Sequence, residues 1–340
     1  MIRLPIALAA LCLSVSAFAA DPFDDKFRQL DELLPTASPI RTASGAPGQA
    51  YWQQRADYTI RATLDEANRS IRGAETITYH NNSPDTLNYL WVQLDQNIYK
   101  PNSDARMAAT VAREAWAKPR NPEEGLKFDA LRTTFEGLTF DGGFNITGVK
   151  SGSRTLAHVI NRTMMRIDLP QPLKPGQRFS FEVEWNYKIN EQKVLGGRSG
   201  FEKFDDKNDL FEIAQWFPRM AAYYDVYGWQ HKQFLGAGEF TLEFGDYDVE
   251  ITVPGDHIVA STGVLQNPGS VLTAAQRDRL AKARTAKTPV VIVTQAEAEA
   301  AEKVRATTNK TWHFKAKNVR DFAFASSRKF IWDAQGIKSG

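Results

Sequence analysis

From about Tyr51 onward, apolar side chains recur at every second position. Tyr58, Ile60, Ala62 and Leu64 alternate with polar or charged residues, the spacing of a strand with one buried face and one wet face. "IRGAETITYHNN" repeats the pattern and runs into an Asn-Asn-Ser-Pro turn. In "TLNYLWVQLDQ", Leu90, Val92 and Leu94 share a face, so these three segments predict a meander. "LPQPLKPGQRFSFEVEWNYKI" is the clearest case. After Pro175-Gly176, one face carries Phe179, Phe181, Val183, Trp185, Tyr187 and Ile189, and the other Ser180, Glu182, Glu184, Asn186 and Lys188. "EFTLEFGDYDVEITVPGDHIVASTGVL" adds two or three strands, bounded by Gly245-Asp246 and Pro254-Gly255-Asp256.

Helical signals are few. Residues 104–118 are Ala-rich and precede Pro119, which predicts a short surface helix. Thr273-x-x-Gln276 and Thr294-x-x-Glu297 each read as a capping box, opening helices that flank the strand "PVVIVT". The predicted fold is therefore mainly β: a large antiparallel β domain over residues 51–315 with a few inserted short helices. Many short strands at regular spacing fit a sandwich or a saddle-like sheet better than a barrel. Residues 20–50, rich in Pro, Gly, Ser, Thr and Ala, read as a leader or linker.

The N-terminus changes the picture of where the protein works. Arg3, an apolar run from Leu4 to Val15 and the ending Ala17-Phe18-Ala19 have the layout of a signal peptide over residues 1–19, cleaved after Ala19. The run is too short for a membrane span. A periplasmic or secreted location follows as an expectation, with no membrane span in the mature protein. Cys12 is the only cysteine, so the cleaved chain has no disulfide, thiolate nucleophile or cysteine metal ligand. Cleavage removes Arg3 and no acid, which takes the net charge from +2 to +1; with no basic block, nucleic acid is excluded as a partner.

Reactive groups are sparse. The histidines, His80, His158, His231, His257 and His313, form no H-E-x-x-H and no i, i+4 pair, so each reads as a surface or turn residue and the sequence offers no metal ligands. G-x-S-x-G and the P-loop are absent, and "GGRSGF" at 196–201 reads as a loop. Carboxylate pairs such as Asp205-Asp206, Glu123-Glu124 and Glu239/Glu243 carry no feature that marks them as catalytic. The oddity is aromatic density: Trp216, Phe217, Tyr223, Tyr224, Tyr227 and Trp229 crowd one stretch, which reads as sheet core with polar residues at its edge.

Five segments taken in order carry a resemblance. "LPQPLKPGQRFSFEVEW", "QWFPRMAAYYD", "GEFTLEFGDYDVEITVP", "IVASTGVLQNP" and "NVRDFAFASSRKFIWDA" resemble the N-terminal β domain of the M1 family of zinc aminopeptidases, whose members include aminopeptidase N and leukotriene A4 hydrolase. The resemblance implies a saddle-like β domain preceding a thermolysin-like catalytic domain, with residues 316–340 as the transition strand into it. It implies that the parent is an exported zinc-dependent enzyme releasing N-terminal residues from peptides, with zinc activating water and a glutamate as general base. The H-E-x-x-H, the downstream zinc-binding glutamate, the G-x-M-E-N strand and the oxyanion tyrosine of that family are absent here. The chain as given is thus expected to be a fragment without peptidase activity, with no catalytic residue and no zinc of its own. What carries over is Gln215, matching the family's Gln or Glu that accepts a hydrogen bond from the substrate's α-amino group; a neutral amide does so without adding an anion. Arg219 reads as structural, paired with Asp225 across the turn.

Two other readings compete. One is a stand-alone secreted β-sandwich binding carbohydrate or protein through the aromatic patch. The other is a non-catalytic relative that keeps the β domain as a scaffold.

Overall fold

In a computed structural model, described over residues 37–108, 139–236 and 241–338, the alternating segments are strands whose apolar positions face inward. The expected signal peptide with Cys12, most of the helix expected over 104–118, Glu123-Glu124 and Glu239 lie outside the described residues; of that helix Asp104–Met107 is described. Two units are distinguished, Met1–Tyr51 and Trp52–Gly340. In the first, an Arg41 to Pro47 bridge closes a tight turn and the Arg41 guanidinium lies 5.0 Å from the Tyr51 ring centroid.

The second unit holds an eight-stranded sheet in the order Val264–Leu265, Asn309–Val319, Gly245–Pro254, Arg55–Asp65, Ser70–His80, Arg178–Lys188, Asn145–Ser151 and Arg154–Thr155. Tyr58, Ile60, Ala62 and Leu64 are buried, as are Phe181, Val183, Trp185 and Tyr187. Gly73 stands opposite Trp185, and a Cβ there would meet the indole at 2.4 Å, so glycine lets the largest side chain of that rung lie across the strand. The one departure from antiparallel pairing is central: Arg55–Asp65 runs parallel to Gly245–Pro254. That pairing joins segments far apart in sequence, which alternation alone cannot disclose.

The meander expectation is corrected. Arg55–Asp65 and Ser70–His80 form a hairpin, but Leu87–Gln93 leaves for a four-stranded sheet in the order Arg219–Met220, Leu87–Gln93, Met164–Leu173, His158–Asn161. The corner is built by Asn81, whose Nδ2 donates to the carbonyls of Asp85 (2.7 Å) and Leu173 (3.0 Å) while its Oδ1 accepts from the Ser83 hydroxyl at 2.6 Å. A second four-stranded sheet runs Ile258–Ser261, Phe324–Ser327, Leu210–Ile213, Gly200–Glu202. One apolar cluster joins side chains from all three sheets, including Tyr58, Val92, Met165, Trp185, Phe211 and Trp216.

Both capping boxes form. Thr273 and Gln276 open Ala274–Ala283, and Thr294 and Glu297 open Gln295–Glu302, on either side of the strand Val290–Val293. The boundary expected at 315/316 falls inside Asn309–Val319, and Phe324–Ser327 pairs with two strands of the same unit.

Candidate functional site

"FEIAQWFPRM" is not one strand but the crossing between two sheets. Leu210–Ile213 belongs to the second four-stranded sheet and Arg219–Met220 pairs with Leu87–Gln93 in the first. The chain reverses at Gln215, which holds the left-handed conformation at φ +53°. Non-glycine residues rarely stay there unless their surroundings hold them. Here the holders are visible. Trp216 and Phe217 are fully buried, and the Trp216 indole N–H donates to the Phe322 carbonyl at 2.8 Å. The Trp216 ring meets Trp185, Phe217 and Phe324 edge-on at 5.2–5.8 Å between centroids. The Gln96 amide completes the clamp by donating to the Gln215 carbonyl at 3.2 Å.

Gln215 is half-buried, and its own amide makes no hydrogen bond among the described residues. Around it the polar density is high. Arg219, buried as expected of a structural residue, binds Asp95 Oδ2 through Nε (3.2 Å) and Nη2 (2.9 Å), and Asp321 Oδ2 through Nη1 (2.6 Å). The pairing expected with Asp225 is thus corrected: Asp225 follows the Tyr223–Tyr224 strand, whereas Asp95 opens the 3₁₀ turn Asp95–Tyr99 just beyond the strand that Arg219 pairs with.

The same corner leaves buried polar atoms over. Asp95 Oδ1, Gln96 Oε1, both ends of the Gln93 amide and both oxygens of Glu75 have no hydrogen-bond partner among the described residues. Burial without a partner raises the Glu75 carboxyl well above its usual range. Met220 N–H donates to the Tyr58 hydroxyl at 2.9 Å, linking this layer to the central sheet. Asp95, Gln96 and Asp321 were not singled out from the sequence. The available signal was the run "QLDQN", in which Gln93 ends a strand, Asp95, Gln96 and Asn97 follow it, and all four are buried.

The aromatic patch largely dissolves into core. Trp216, Phe217 and Trp229 are buried, Tyr223 and Tyr224 are half-buried, and Tyr227 is exposed.

The histidines divide. His80 and His313 face Asp57 and Asp248 at 2.9 and 2.7 Å, and His231 stacks on Trp91. His257 corrects the surface-or-turn expectation, because it is fully buried with Nδ1 2.9 Å from Ser326 Oγ and Nε2 3.6 Å from Glu66. A serine, a histidine and a carboxylate in a row suggest a nucleophile relay, but Ser326 is also fully buried, so no substrate reaches it. Asp206 is tied to Lys329 at 2.6 Å. Glu243 accepts from the Tyr223 N–H at 3.0 Å, and burial lifts its carboxyl to about 7. Among the described residues no three His, Cys, Asp or Glu side chains are grouped as a metal site. No helix among them is long and apolar enough to cross a membrane.

No protein-family model matches the sequence, and no curated protein matches it. Solved structures similar to the chain include an M1 zinc metallopeptidase variant from Deinococcus radiodurans bound to a Tyr-Ser-Ala substrate, at 11% identity and a TM-score of 0.40, covering 81% of this chain and 42% of that one. A two-domain M1 zinc metallopeptidase variant bound to L-tryptophan is similar at 11% identity and a TM-score of 0.39, over 83% of this chain and 44% of that one. One bound to L-arginine gives 12% and 0.38, over 81% and 42%. The chain spans less than half the length of each.

Proposed function

We propose that this chain is the N-terminal β domain of an exported, zinc-dependent metallo-aminopeptidase and that Gln215 receives the free α-amino group of a peptide. The observation that carries the reading is the strained, clamped Gln215: a half-buried amide with no partner among the described residues, held at φ +53° by a carbonyl contact and buried aromatic neighbours. Strain of about 1–3 kcal/mol at a non-glycine residue persists where the fold over-determines it, commonly at sites that bind. An amide oxygen accepts from an ammonium without bringing a second anion beside Asp95 and Asp321.

In this reading the zinc ligands and the general base belong to a catalytic domain outside the chain. The test has two arms. The purified chain supplied with zinc should release no fluorophore from aminoacyl-coumarin amides. A polypeptide extended through a downstream reading frame containing H-E-x-x-H should release it, and Gln215→Ala should lower its kcat/KM at least about tenfold, the loss of one hydrogen bond to a charged group. Activity of the chain alone, or an extended enzyme indifferent to Gln215→Ala, would overturn the proposal.

A further inference from the structure

The solvent face of the eight-stranded sheet carries a cleft of about 880 Å³. Register sets Thr63 opposite Arg72, Arg72 opposite Asn186 and Asn186 opposite Asn145, a polar rung across four strands. A second rung places Ser70 between Asp65 and Lys188. Lys100 enters from the segment after Asp95–Tyr99 and lies along Gly143. A Cβ at that position would stand 2.2 Å from Lys100 Cγ and 2.4 Å from its Cε, so the glycine seats the lysine stem at the cleft.

The charges in this cleft sort by partner. Asp65 accepts from the Asn68 amide at 2.8 Å and its backbone N–H at 3.0 Å, and Asp141 accepts from Gly143 N–H at 3.1 Å, so both carboxylates are engaged in local turns. Asp65 feels the charge of Arg72 but makes no ion pair with it. Arg72, Lys100 and Lys188 make no ion pair or side-chain hydrogen bond among the described residues, and neither do the amides of Asn145 and Asn186. The uncommitted groups are therefore three cations and two amides.

We infer that this cleft binds an anionic oligosaccharide, a sugar chain carrying carboxylate or phosphate groups. Arg72 and Lys188 are diagonal neighbours on adjacent strands, about 7–8 Å apart at their Cα atoms, which suits two charged groups on one ligand. Amides that both donate and accept match sugar hydroxyls, which do the same. An extended acidic peptide would instead seek a strand edge, where unpaired backbone groups hold it; on this face the backbone groups are already paired within the sheet.

The test is calorimetric titration of the full chain with tetragalacturonate, a phosphorylated mannopentaose, neutral maltotetraose and hexaglutamate. At least one anionic sugar should bind, weakening as salt rises, and the better of the two identifies carboxylate or phosphate as the recognised group. Arg72→Gln and Lys188→Gln should each weaken it on the order of tenfold, the worth of a charge-assisted hydrogen bond. Both side chains face solvent, so an unchanged melting temperature verifies the fold of each variant independently. Maltotetraose and hexaglutamate should bind at least ten times more weakly. Absence of anionic-sugar binding, equal binding of either control, or affinity indifferent to both substitutions would overturn the inference.

Discussion

Arg219 and Arg328 are both buried, and each is held by two carboxylates, yet they keep different company. Arg328 grips Glu66 with both terminal nitrogens and Asp256 with one, fastening together the segments that leave Arg55–Asp65, Gly245–Pro254 and Phe324–Ser327. What is left over there is one donor, Arg328 Nε, and the ring nitrogen His257 Nε2. Around Arg219 the leftovers are Asp95 Oδ1, Gln96 Oε1, both ends of the Gln93 amide and the Glu75 carboxyl, with acceptors in the majority. The contrast teaches that burial of an arginine does not by itself mark a site. The Arg328 cluster closes loops onto each other, whereas the Arg219 corner sets unpartnered acceptors beside a residue held in the left-handed conformation.

The largest effect that would sharpen this contrast is on stability. Arg328→Met leaves Glu66 and the nearly buried Asp256 without their cation and should cost about 3–5 kcal/mol. Arg219→Met should cost less, about 2–3 kcal/mol, because the Asp321 side chain is 39% exposed and can turn to water, leaving Asp95 alone unpaired. Urea unfolding of both variants measures the difference. Equal losses would mean that the two arginines are the same kind of staple.

Two carboxyls, one beside Arg328 and one beside the Tyr223–Tyr224 strand, are shifted in opposite directions. At Glu66, burial would raise the pKa, but the Arg328 guanidinium bonded to both of its oxygens holds it near 2. With a folded value below the unfolded 4.5, its stabilisation is present above pH 4.5 and lost as pH falls toward 2. Glu243 behaves inversely. Burial lifts it to about 7 against the pull of the Tyr223 N–H, so the stability it allows is full below pH 4.5 and declines as pH rises from there to 7. Glu243→Gln should therefore match the parent at pH 4 and exceed it by roughly 2–3 kcal/mol at pH 8. Melting curves across that range check it, and a constant offset between the two proteins would refute the assignment.

Legibility in the sequence followed the same divide. Strand faces at Tyr58–Leu64 and Phe179–Ile189 were readable because each inward side chain is set by its neighbours two positions away, and the capping boxes because Thr273 and Thr294 act within one turn. The parallel partnership of Arg55–Asp65 with Gly245–Pro254 was hidden, because only long-range pairing creates it. Gln215 was singled out only through the resemblance that "QWFPRMAAYYD" carries, and its backbone reversal was hidden, since the pattern of "FEIAQWFPRM" is compatible with one strand. The choice of Asp95 and Asp321 over Asp225 needed the sheets assembled.

The smallest predicted effect tests the comparison most directly. A non-glycine residue in the left-handed region costs about 1–2 kcal/mol that glycine does not bear, and glycine gives back part of this through the entropy of the unfolded chain. Gln215→Gly should thus raise stability by about 0.5–1 kcal/mol. Lys207, at φ +60° in an exposed turn, provides the control, and Lys207→Gly should gain a similar amount. If Gln215→Gly gains stability and the extended enzyme loses recognition of the peptide amine, the strain is retained for the side chain's sake. If it loses stability instead, the side chain is holding the crossing between the sheets together, and the corner around Arg219 is a second staple like the one around Arg328.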